Sequence, residues 1–165
     1  MTEKKAQAWG LDLMIALVIV SIAVFSFLFF IVNHTNETKE EFRGISYDAE
    51  FIADSLMSPG MPVNWSEGNV VSIGIVDGGR INESKLENFY NLAENDYNKT
   101  RRTFKTAYDY LFTLEGNFSI NSTNVSGIGK PGSDANNLTG DNVAAVKRVI
   151  IYQDRIATAK IYVWD

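Results

Sequence analysis

Residues 13–32 form an unbroken apolar run in which Ser21 and Ser26 are the only polar members and nothing is charged. At 1.5 Å per residue a helix of 20 residues is about 30 Å long, the thickness of a bilayer's hydrocarbon core. The run predicts a membrane-spanning helix near the N-terminus, with a polar domain after it. Residues 33–38 are poor in helix formers, and this predicts a bend or local melting. Helical periodicity then resumes: Phe42, Ile45, Ala49, Ile52 and Leu56 recur at spacings of three and four, with Glu40, Glu41, Asp48, Glu50 and Asp54 off the stripe. Ser58-Pro59-Gly60 ends that amphipathic helix.

Further along, the pattern alternates between short elements. Residues 70–76 read as a strand closed by the turn Asp77-Gly78-Gly79. Asn82 caps a helix carrying Leu86, Phe89, Tyr90 and Leu92, and Asn95 or Asp96 caps a second one ending near Phe104. Tyr108, Tyr110, Phe112 and Leu114 alternate with Asp109, Leu111 and Thr113, a strand with one apolar face. Residues 117–141 are rich in Gly, Asn, Ser and Thr and predict a long exposed loop. Residues 146–152 and 156–164 form a β-hairpin about a turn at Gln153-Asp154. Helices first and an antiparallel sheet last is an α+β order.

Of 165 residues, 133 follow position 32, enough for one domain with its own core. The formal net charge of −5 lies beyond the apolar run, because Glu3 and Asp12 offset Lys4 and Lys5. An acidic head argues against non-specific binding to nucleic acid or anionic lipid. There is no cysteine, which excludes disulfides, thiolate zinc sites and thiol chemistry, and His34 is the single histidine.

Basic residues flank both ends of the run (Lys4 and Lys5, Lys39 and Arg43), so positive charge alone does not orient the helix. Asparagine does. Nine of fifteen Asn lie in Asn-x-Ser/Thr: Asn33, Asn36, Asn64, Asn82, Asn98, Asn117, Asn121, Asn124 and Asn137. Chance would supply about two. All nine follow the helix, as expected of an exported, N-glycosylated head. Asn33 and Asn36 abut the membrane, which leaves the other seven as candidate acceptors. The apolar run is longer than the roughly 7–15 residues of a secretory signal and lacks a small-x-small site behind it, so the helix is expected to be retained.

Lys4-Lys5-Ala6-Gln7, followed by an acid and a 20-residue apolar helix, resembles the class III signal peptide of archaeal type IV pilins and pseudopilins. The resemblance implies that a prepilin peptidase cuts between Ala6 and Gln7, on the cytoplasmic side, and that the helix then packs into a filament core. Asp12 would be the sixth mature residue, where the family commonly has glutamate at the fifth. A cut after Gly10 is the second candidate and would put Asp12 second. A carboxylate at the hydrocarbon edge is costly unless solvated or paired, and a neighbouring subunit's free α-amine is a natural partner. The competing reading leaves Asp12 among headgroups, favoured by the helix N-terminus. The segment from Ser58 to Tyr90 also looks like heads of archaeal pilin-like proteins.

The implied layout is a leader at 1–6, a membrane or filament-core helix at 7–32, an amphipathic helix at 33–58, and a glycosylated α+β head at 59–165. That fold class is a long N-terminal helix packed on an antiparallel sheet, pilin-like. The implied function is that of a structural, non-enzymatic subunit of an extracellular filament. Its partners would be copies of itself or related pilins, the prepilin peptidase and assembly machinery, and the membrane before assembly. Neither a specific nucleic acid partner nor a cofactor is expected, apart from N-linked glycans. The alternative is a single-pass anchored adhesin or receptor-like ectodomain that never polymerises, and an anchored hydrolase with a carboxylate-only site is third. No Ser/His/Asp or Cys/His set can be assembled, and no calcium loop or Gly-rich phosphate motif is present. Lys99, Arg101, Arg102 and Lys105 form the one basic cluster, read as a solvated helix face.

Overall fold

The computed structural model describes residues 3–116, 118–120 and 123–165, with the side chains of residues 3–8 and 33–39 outside the description. The chain divides into two compact units, residues 1–41 and 42–165. Helix α1 runs Glu3–Leu56, so the backbone stays helical through residues 33–38, where a bend is expected from propensity. Propensity is worth only tenths of a kcal/mol per residue, and strong helix on both sides overrides it.

The second unit is α+β. It contains β1 (Val76–Asp77), β2 (Arg80–Ile81), α2 (Glu83–Asn95), α3 (Tyr97–Phe104) and β3 (Asp109–Leu114). After these come β4 (Phe118–Ile120), β5 (Thr123–Val125), β6 (Ile128–Gly129), β7 (Val143–Tyr152) and β8 (Arg155–Trp164). Six strands form one sheet in the order β1-β2-β7-β8-β3-β6, and β4-β5 is a separate hairpin. All pairings in the large sheet are antiparallel except β2 with β7, which meet in parallel at Arg80 and Ile151. The expected all-antiparallel sheet is corrected on that point. β2 reaches β7 through two helices and several strands, so no hairpin dictates its direction.

The stripe on α1 is the wall of the core. Ile45, Ala49, Ile52 and Leu56 are fully buried and Ala53 joins them, whereas Phe42 is 47% exposed and lies outside the core. Against them pack Leu86, Phe89 and Leu92 of α2, Phe104 of α3, and the inner sheet residues Tyr110, Phe112, Ala159, Ile161 and Val163. Phe89 is central, with the rings of Phe104 and Phe112 edge-on at 6.0 and 6.1 Å and Tyr110 stacked at 6.3 Å. Asn82 caps α2 by accepting from the Lys85 amide, and Asp96 caps α3 by accepting from the Lys99 amide.

Residues 70–75 are not a strand. The Ile75 amide donates to the Leu56 carbonyl and the Val76 amide to that of Ser58, while Ser55 Oγ donates to the Ile73 carbonyl. The Leu56 carbonyl is one of those left open at the end of α1 and Ser58 follows two residues later, while the Val71 and Ser72 amides both donate to the Met61 carbonyl, so an extended apolar segment is held against the helix end and the turn after it. Only Val76 and Asp77 pair as a strand, across the Gly78-Gly79 turn where both glycines have positive φ.

Residues 117–141 are not simply an exposed loop either. Phe118, Ile120, Val125 and Ile128 are buried, and β6 extends the sheet beside β3. The segment also covers part of the sheet's back face: Gly127 lies against the Leu111 side chain and Gly140 against Trp164. β3 is consequently buried on both faces, with Leu111 and Thr113 inaccessible as well as Tyr110 and Phe112, at 3 and 8% exposure against none.

Candidate functional site

Residues Trp9–Val32 form one helical stretch of 24 residues with a mean hydropathy of 3.1. By length and composition it is able to cross a membrane, and an N-terminal signal sequence passes the same test. None of it is buried. Phe25, Phe29 and Phe30 are 72, 71 and 68% exposed, and the other apolar side chains of the stretch point outward all round the helix. A helix apolar on every face needs an apolar environment, whether lipid or other helices. Ser21 is satisfied internally, its Oγ donating to the Leu17 carbonyl at 2.8 Å.

Asp12 is exposed on this helix and shares a face with Trp9 and Leu13, at i, i+3 and i+4 spacing around a shallow recess. Ala6 and Gln7 lie in helical backbone, but their side chains fall outside the described residues, as do those of Asn33, His34 and Asn36.

The head's predicted acceptors separate by environment. Asn64, Asn124 and Asn137 are exposed, and so are the hydroxyl residues of their sequons, Ser66, Ser126 and Thr139. Asn82 is committed instead, since its Oδ1 caps α2 and its Nδ2 donates to Asp77 Oδ2 at 2.8 Å. Asn98 is exposed on α3, but Thr100 of the same sequon is fully buried. The Thr100 hydroxyl donates to the Tyr97 carbonyl and accepts from the Tyr110 hydroxyl. Asn117 and Asn121 lie outside the described residues.

Two polar clusters escaped the sequence reading. In the first, Lys85 is 6% exposed, and its Nζ donates to Asp77 Oδ1 at 2.7 Å and to the Pro59 carbonyl at 2.9 Å. The hydrogen bond from Lys85 holds the Asp77 carboxyl below its ordinary range, helped by the bond from Asn82 and opposed by burial. In the second, Asp109 gathers Tyr97, Lys130 and Arg101, at 3.0, 2.6 and 4.0 Å. Burial pushes the Tyr97 and Tyr110 hydroxyls up, so both stay protonated donors. Both clusters tie loops to helices. A Lys or Asp at these positions carries no periodic signal, and its partners are distant in sequence.

The basic cluster is not a free cationic face. Arg101 pairs with Asp109 and lies over the Tyr97 ring, Arg102 pairs with Asp96 at 3.6 Å, and Lys99 donates to the Glu67 carbonyl. Lys105 closes α3 with positive φ. Among the described residues no three His, Cys, Asp or Glu are placed to hold a metal ion. No protein-family model, no curated protein and no solved structure matches this chain.

Proposed function

We propose that this chain is a structural subunit of pilin type, which sits in a membrane through its N-terminal helix and then assembles into an extracellular filament through that same helix. The observation that carries the reading is the bare apolar stretch Trp9–Val32, with a single acid, Asp12, near its N-terminal end. Side chains that are apolar on every face serve equally well in lipid and in a bundle of like helices, so one element can occupy both in turn. The resemblance of Lys4-Lys5-Ala6-Gln7 to a class III leader supplies the step between them: a cut between Ala6 and Gln7 frees an α-amine that can pair with Asp12 of a neighbour. The α+β second unit is the head, and it carries the glycans.

N-terminal sequencing and intact mass of the native protein test this. The expected mature chain begins at Gln7, with a start at Leu11 as the second candidate. A protein that keeps residues 1–6 and runs as a monomer in mild detergent is an anchored ectodomain instead.

Glycopeptide mass spectrometry of the same material is expected to find Asn64, Asn124 and Asn137 occupied and Asn82 bare. A glycan on Asn82 Nδ2 would cost the bond to Asp77 and disturb the cap of α2, each worth about 1 kcal/mol. Stoichiometric occupancy of Asn82 would overturn this assignment.

A further inference from the structure

The β7-β8 hairpin leaves one long edge of the sheet open. Its two-residue turn makes Tyr152 and Arg155 a pair that exchanges both backbone bonds, and bonding then alternates along the strands. Val143, Ala145, Lys147, Val149 and Ile151 therefore aim their N–H and C=O groups away from β8. Ile151 is the residue that β2 takes, by its pairing with Arg80. The remaining four have no strand partner on that side among the described residues. Among the described residues only the Lys147 carbonyl of the four is touched, by its neighbour Arg148 at 3.3 Å.

The chemistry of this edge differs from the rest of the chain. Residues 143–165 carry Lys147, Arg148, Arg155 and Lys160 against Asp154 and Asp165, on a chain of net charge −5. They contain no asparagine, so no sequon falls on the hairpin. Arg148 is paired with Asp54 at 2.9 Å and Asp154 with Arg80. Lys147 and Lys160, however, lie directly opposite each other across the strands, and neither forms an ion pair among the described residues. Like charges in directly opposed positions destabilise a sheet. A carboxylate beside them would reverse the sign of that interaction.

We propose that the open edge of β7 is a docking site for an extended acidic segment of another protein. The segment would add to the sheet as a seventh strand and set a carboxylate against the Lys147–Lys160 pair. Main-chain bonds to the four outward residues give affinity, and the cation pair gives specificity. A second copy of this chain is a poor occupant, because two β7 edges would bring their Lys147 and Arg148 residues together. Edge lysines are a device against such self-pairing.

The test uses the full chain in detergent micelles and, as probe, the peptide acetyl-Thr-Val-Glu-Val-Glu-Val-Thr-amide, with a counterpart in which both Glu are Lys. Amide exchange followed by NMR is expected to show protection of Val143, Ala145, Lys147 and Val149 rising at least tenfold with the glutamate peptide. The lysine peptide is expected to bind at least fivefold more weakly. Ala145→Pro removes an outward N–H without touching the bonds to β8 and is expected to abolish binding. Lys147→Glu, an exposed surface change that leaves the fold alone, makes the pair neutral and is expected to erase the preference between the peptides. With the unaltered chain, no protection by the glutamate peptide, equal binding of both peptides, or the same four amides protected by self-association alone would each overturn the proposal. None of these outcomes bears on whether the N-terminal helix assembles.

Discussion

Replacing Trp65 with alanine is expected to lower the stability of the head by about 3–5 kcal/mol, the range for truncating a large buried aromatic. Against a typical total of about 5–15 kcal/mol that is a fifth or more of the domain's stability. Trp65 is 2% exposed and closes the junction where α1 ends and the chain turns back toward the sheet. Its Nε1 donates to the Gly74 carbonyl at 2.8 Å. Two glycines make room for this arrangement. A Cβ on Gly60 would stand 2.6 Å from the indole, and one on Gly74 would stand 2.3 Å from both the Gly60 nitrogen and the Ser58 oxygen. The ring thus lies directly against the Gly60 backbone, which is itself packed on Gly74 and has little freedom to move into the space left, and the Gly74 carbonyl loses its partner as well. Denaturant titration of the full chain in micelles, followed by near-ultraviolet circular dichroism, measures the loss. Trp65→Phe, which keeps a ring but not the donor, is expected to lose less. A Trp65→Ala protein within 1 kcal/mol of the parent would show that the junction does not depend on the indole.

Legibility in the sequence followed the physics of each element. The apolar run, the stripe from Ile45 to Leu56, the caps Asn82 and Asp96, the Gly78-Gly79 turn and the C-terminal hairpin all depend on near neighbours. Each stands in the structure where its local pattern placed it. Failures came where tertiary context chose between conformations that look alike locally. Residues 70–75 have the composition of a strand, but the Leu56 carbonyl at the end of α1 and the Met61 and Ser66 carbonyls of the turn after it took their amides in place of a sheet neighbour. Residues 117–141 have the composition of a loop, yet four apolar side chains among small polar ones suffice to fold part of them against the core and the back of β3. The sequons show the same limit. Asn-x-Ser/Thr reads identically whether the amide is in solvent, as at Asn137, or holding a cap, as at Asn82. Lys147 and Lys160 are unremarkable in the sequence, thirteen residues apart, and only the register of β7 on β8 brings them face to face.

For the filament assembly proposed above, Asp12→Ala is expected to cut filament yield at least tenfold while leaving the head's unfolding curve unchanged. The acid adjoins twenty residues that carry no charge, and a carboxylate drawn toward mid-bilayer costs roughly 2.5–3.5 kcal/mol on insertion scales. In the proposed bundle of apolar helices, the α-amine that the proposed cut frees would meet the same penalty. Each charge is tolerable there only as the other's partner, and removing one from a buried pair costs about 3–5 kcal/mol because the other is stranded. Since 1.4 kcal/mol is a factor of ten in an equilibrium constant, a cost of that size corresponds to a hundredfold or more, and a tenfold loss is a conservative floor. The variant series separates charge from shape. Asp12→Glu keeps the carboxylate and should retain most assembly, whereas Asp12→Asn keeps the outline and should fail like alanine. A role among headgroups predicts near-normal assembly from all three variants, because an exposed helix-end carboxylate is worth only about 0.3–1 kcal/mol and its loss is tolerated. Counting filaments on cells expressing each variant, against equal amounts of membrane-inserted protein, decides between the two. Wild-type numbers from Asp12→Ala would remove the pairing from the mechanism.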